Sequence, residues 1–152
     1  MPRLSGGTLT LDPNSITDQM ISTSAAVDAD KLQHIETASH DFGFEFNGTP
    51  TAKVFIVYVA KGAGILRGFH ALLYDTGTST SVTFDLKKNG TTVLSSVITI
   101  THGTADKAVV DATLSVTAFV ADDVFTMHLA QSANTGAQGP FAFAEFEENV
   151  AS

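Results

Sequence analysis

Apolar and polar residues alternate along most of this chain from about residue 41 onward. A period of two is the pattern of a strand with one face turned to a core. "DFGFEFN" sets Phe42, Phe44 and Phe46 on one face, and Gly48-Thr49-Pro50 interrupts it. "KVFIVYVA" is apolar at nearly every position, which suits a central strand or one covered by a neighbour. "ILRGFHALLYD" reads as the next strand, with Gly68 at a bulge or bend. In "SVTFDLKKNGTTVLSSVITI", Val82, Phe84 and Leu86 alternate with polar residues up to Asn89-Gly90. That dipeptide suits a two-residue type I′ turn, whose central residues both need positive φ. Val93, Val97, Ile98 and Ile100 mark the return strand. "KAVVDATLSVTAFV" alternates through Val110, Ala112, Leu114 and Val116, and "DDVFTMHLAQS" through Phe125, Met127 and Leu129. "PFAFAEFEE" puts Phe141 and Phe143 on one face and Phe146 on the other. About eight strands with closely spaced turns and no long helix predict an all-β fold. The expected architecture is an antiparallel β-sandwich, jelly-roll-like.

The segment before this pattern differs. Residues 1–37 hold a short strand-like "TLTL", a Pro-Asn-Ser turn, and the polar stretch "SITDQMISTSAAVDADKLQH". Ile16, Met20 and Ile21 have rough helical spacing, but Ser22, Thr23 and Ser24 are poor helix formers. Such a segment cannot build a core alone, and orders only by lying on something else. The expected organisation is an extended N-terminal arm, 1–37, and a sandwich domain, 38–152. Ile16, Met20, Ile21 and Leu32 are the arm's expected anchors, its larger apolar side chains outside "TLTL". Burying each contributes about 1.5–3 kcal/mol.

Composition narrows the function. The 152 residues are 43% hydrophobic, enough for one core without disulfides, and no cysteine is present. Disulfides, thiolate metal sites and a cysteine nucleophile are thereby excluded. Eight basic against 16 acidic residues give a net charge of −8, which opposes binding to a phosphate backbone. No apolar run is long enough to span a bilayer, and the start carries no signal-peptide pattern. No nucleic-acid or membrane partner is expected. The aromatic content is mostly Phe, 11 of them, with no Trp and two Tyr. Aromatic carbon is therefore committed to packing more than to polar recognition.

Candidate chemistry is sparse. His34, Glu36, His40 and Asp41 place four metal-ligand types within "HIETASHD", though outside any metal motif. No H-x-H pair is present, and no G-x-S-x-G or phosphate-binding glycine loop. "DADK" lacks the glycine and glutamate that a calcium loop needs at its sixth and twelfth positions. No catalytic activity and no cofactor are expected.

Two stretches carry a resemblance. Ser15, Ile16, Thr17 and Met20, then Ala25, Ala29, Lys31, Leu32 and His34, resemble an N-terminal pattern of tailed-bacteriophage virion structural proteins. Asp85, Leu86, Lys87, Lys88, Asn89, Gly90, Leu94 and Ser95 are similar to a hairpin of the same proteins. The resemblance is to capsid decoration (cement) or head-fibre proteins. It implies a non-enzymatic protein on the outer capsid surface, made in the host cytoplasm. The major capsid protein and self, as a homotrimer, are the implied partners, with the arm reaching neighbouring subunits. On this reading Phe55, Val57 and Val59 are a candidate oligomer interface, suited to a trimer axis or an arm-covered surface. A head-fibre, tail or baseplate component, or a carbohydrate-binding adhesive sandwich, is the alternative.

Overall fold

The computed structural model describes residues 33–41 and 48–149. Among them every regular element is a strand, and the strands form two antiparallel sheets. In the first sheet β1 (Gln33–Asp41) pairs with β10 (Gln138–Asn149), and β10 pairs with β3 (Gly64–Asp75). Two short strands, β7 (Val110–Asp111) and β8 (Ala118–Phe119), share the far edge of β3. In the second sheet β2 (Lys53–Val59) pairs with β9 (Val124–Thr135), and β9 with β4 (Ser79–Lys88). There β5 (Thr91–Thr92) and β6 (Ile98–Thr101) share the far edge of β4. Among the described residues ten strand segments thus occupy eight positions, and β1 is a strand that the sequence pattern did not predict.

The alternation works out as read. Val82, Phe84 and Leu86 of β4 and Phe125, Met127 and Leu129 of β9 are all buried. They meet Leu66, Phe69, Ala71 and Leu73 of β3 and Ala142, Ala144 and Phe146 of β10 in one core. Four rings cross between the sheets. Phe125 of β9 meets Phe146 of β10 edge-on at 4.8 Å, and Tyr58 of β2 stacks on Phe146 at 4.2 Å. Phe119 of β8 meets Phe125 edge-on at 5.6 Å. Such pairs add about 0.5–1.5 kcal/mol beyond the area they bury.

Gly68 sits at the expected irregularity. Opposite β10 the register of β3 slips at this point, so Leu66 and Phe69, three residues apart, both turn inward. A Cβ on Gly68 would lie 2.5 Å from His70 Nε2. The Asn89-Gly90 turn also takes the expected form, with φ of 49° and 84°. The Asn89 amide nitrogen donates to Asp123 Oδ1 at 2.6 Å, and its Oδ1 accepts from the Val124 N–H at 2.9 Å. The hairpin tip is thereby tied to the start of β9.

One strand reading is corrected. "KAVVDATLSVTAFV" is not one continuous strand. Val110, Ala112 and Leu114 do pack on the core, but the ladder to β3 breaks between β7 and β8. In the gap the backbone turns to the other sheet. Leu114 bridges Leu94, the Ser95 N–H donates to Thr113 O at 2.8 Å, and the Ser115 N–H to Val93 O at 2.8 Å. Among the described residues β2 pairs with β9, and whether "KVFIVYVA" is central or covered by a neighbour turns on residues outside them. Strand β1 starts at Gln33, so residues 33–37, read as arm, lie in the first sheet. Phe42, Phe44 and Phe46 fall outside the described residues.

Phe125→Ala should cost about 3–5 kcal/mol in urea unfolding, because it empties the centre of the ring cluster. Val54→Ala, on an exposed position, should stay within about 0.5 kcal/mol of the parent.

Candidate docking edge

The lateral sides of the sandwich are unlike. On the β5/β6 and β7/β8 side the edge strands are short, and the sheets are joined by the Leu94–Leu114 bridge. On the β1/β2 side the outermost strands among the described residues are long, nine and seven residues. The β1 sequence, "QHIETASHD", is mostly polar. The β2 sequence, "KVFIVYV", has one charge, at its first residue, and one register slip at Val57. Charge, bulges and shortness are what protect an edge from pairing, and β2 has least of these.

The two faces of β2 follow from its register. Phe55 pairs with Met127, so Phe55 is turned toward the core, where it and Val57 pack half-buried. Val54 pairs with His128 and Ile56 with Thr126, both on the outer face. Val54 is 60% exposed and Ile56 70%. Of the candidate interface residues, Val59 is also exposed, at the far end of the strand. Val54 and Ile56 were missed because an all-apolar strand does not reveal which face is buried. The parity of β9, read through the register, decides it.

The path into β1 leads to the same place. Gln33 lies opposite Asn149 and His34 opposite Glu148. The Tyr58 hydroxyl, near the end of β2, donates to Glu148 Oε2. The Gln33 end of β1 therefore lies on the same side of the fold as the Val59 end of β2. Glu148 is 6% exposed, and its other oxygen, Oε1, has no hydrogen-bond partner. Its neighbour Glu147 is held by Arg67 at 2.5 Å. The proposed anchors Ile16, Met20, Ile21 and Leu32 lie outside the described residues.

Polar clusters occur elsewhere. On the outer face of the first sheet His70 stacks on Phe143 at 4.6 Å. Its Nδ1 lies 2.6 Å from Asp111 Oδ1, and its Nε2 is 3.9 Å from Glu145 Oε2. The three residues come from β3, β7 and β10, so sequence spacing could not join them. They brace three strands; among the described residues no group of three or more His, Asp or Glu is arranged to hold a metal. Of the four metal candidates, Glu36 lies opposite Phe146, His40 opposite Ala142 and Asp41 opposite Phe141. With His34 they are strung along one strand, and their side chains lie outside the described residues. Asp123 is buried, and the Val120 N–H above all, then Asn89 and Lys88, hold its carboxyl below the ordinary range.

His128 lies between Val54 and Asp85 on the outer face of the second sheet. Its Nε2 is 3.0 Å from Thr126 Oγ1. Burial, then Lys87, pushes its pKa below the ordinary 6.5, against an opposing pull from Asp85. No family model, curated protein or solved structure matches the chain.

The titration of His128 has a defined sign. Its imidazole takes a proton more readily in the unfolded chain, so stability falls as pH drops below about 6.5 toward the lower folded pKa. Thermal melts from pH 8 to pH 5 should show this loss, and His128→Gln should flatten it. An unchanged slope would assign the loss to other groups.

Proposed function

We propose that this chain is a non-enzymatic structural protein of a tailed-phage virion, a capsid decoration protein on the outer shell. In this reading the β1/β2 side faces the shell, and the arm contacts neighbouring subunits or the major capsid protein. The observation that carries it is the asymmetry of the sandwich. One side is sealed by bonds between the sheets, while among the described residues the other has a long apolar outermost strand, β2. The resemblance of residues 15–34 and 82–95 supplies the virion context. The strand order adds a fold-level analogy: β1-β10-β3-β7 faces β2-β9-β4-β5, the order two Greek keys produce in a jelly roll. That architecture serves capsid and lectin domains alike, so the analogy supports a surface role without fixing it. Homotrimers, as the resemblance implies, would present three such sides to one junction of the shell. Binding across junctions stabilises only the assembled shell.

Purified protein added to heads that lack it should bind at saturable stoichiometry and raise their resistance to heat. The double variant Met20→Ser with Leu32→Ser should lose at least about tenfold in affinity, since removing two buried anchors exceeds 1.4 kcal/mol. Its sandwich should melt as the parent does. Saturable binding to tails, with none to heads, would move the protein to the tail or baseplate.

A further inference from the structure

We propose that Asn89-Gly90 is a site of spontaneous deamidation, and that the fold restrains the reaction through Asp123 and Val124. Asparagine before glycine is the pair most open to this chemistry, because glycine has no side chain to hinder its backbone nitrogen. The Gly90 nitrogen gives its proton to hydroxide and attacks Asn89 Cγ. A succinimide ring closes, water returns a proton, and the side-chain nitrogen leaves as ammonia. Water then opens either ring carbonyl, leaving aspartate or isoaspartate at position 89. Nothing is oxidised or reduced, and water is the co-reactant throughout.

The nucleophile is open to solvent. Asn89 and Gly90 are both exposed, and a Cβ added to Gly90 would meet nothing within 4 Å. The electrophile is held. Asn89 Nδ2 donates to Asp123 Oδ1 at 2.6 Å, and Asn89 Oδ1 accepts from the Val124 N–H at 2.9 Å. The Asn89 backbone N–H donates to Val124 O, also at 2.9 Å. Three bonds thus run from Asn89 to two adjacent residues at the start of β9. Bringing Cγ onto the Gly90 nitrogen takes a rotation of the side chain that breaks both side-chain bonds. Asp123 cannot follow that rotation, because the Val120 N–H donates to its Oδ2 at 2.9 Å and Lys88 Nζ lies 3.5 Å from the same oxygen.

The product undoes the contact that restrained it. Deamidation turns the donor facing Asp123 into a second carboxylate, so a hydrogen bond becomes a like-charge contact. Isoaspartate also lengthens the main chain by one carbon, which a two-residue turn cannot absorb. Either product unties the hairpin tip from β9.

The test incubates the full chain in mildly alkaline buffer, native and unfolded in urea, and follows deamidation by mass spectrometry of tryptic peptides. Asn89 is the sole asparagine of the fragment 89–107, and the other Asn-Gly pair, Asn47-Gly48, falls on a different fragment. Asn89 should convert readily in urea and at least about tenfold more slowly in the native chain, the factor that one hydrogen bond to a charged group represents. Asp123→Ala, still melting cooperatively, should recover most of that difference. No conversion in urea, equal rates in native and unfolded chain, or equal rates in parent and folded Asp123→Ala overturns the proposal. If Asp123→Ala does not fold, a second pair of variants decides. Asn89→Asp should lower the melting temperature, and Asn89→Asp with Asp123→Asn should restore it, because donor and acceptor are then exchanged. No loss in the first, or no recovery in the second, overturns the proposal. The purified protein suffices, so these outcomes are independent of whether heads bind it.

Discussion

A face-to-face pair of antiparallel sheets has four outermost strands, and each must do something with its unpaired backbone groups. This requirement organises the whole molecule. On one side both edges are cut into two-to-four-residue pieces, and between the pieces the two sheets bond to each other at Leu94 and Leu114. Nothing flat remains there for another chain to pair with. On the other side β1 and β2 run unbroken, and β2 offers an apolar outer face. Among the described residues the two flanks of the sandwich therefore differ in the length and polarity of their outermost strands.

The core makes this arrangement rigid. Phe125 and Phe146 meet across the sheets, and Tyr58 stacks on Phe146, so β2 is fixed to the first sheet through its rings. The Tyr58 hydroxyl on Glu148 then ties the end of β2 to the strand against which β1 pairs. Glu148 is a buried carboxylate with one oxygen that has no hydrogen-bond partner among the described residues, which is costly.

Much of the fold was legible in the sequence because its causes are local. Period-two alternation located Val82–Leu86, Phe125–Leu129 and the Phe141/Phe143 against Phe146 split. Asn89-Gly90 named its own turn, and Gly68 its own bulge. The failures have a common physical origin. Which face of "KVFIVYV" is buried depends on the strand that pairs beside it, a contact between residues about 70 positions apart such as Phe55 and Met127. The break in "KAVVDATLSVTAFV" depends on Leu114 finding Leu94 in the other sheet. His70, Asp111 and Glu145 were invisible as a group for the same reason. The β1/β2 flank is therefore a property of topology that no single stretch of residues displays.

The central claim is that the β1/β2 flank, with the segment preceding β1, is the side that meets the assembly. A map of the virion by electron cryomicroscopy tests it most directly. The expected result is the sandwich on the head surface with the β1/β2 flank turned toward the shell. Contact with the shell through the sealed β5/β6 and β7/β8 flank, with β2 facing solvent, would contradict it.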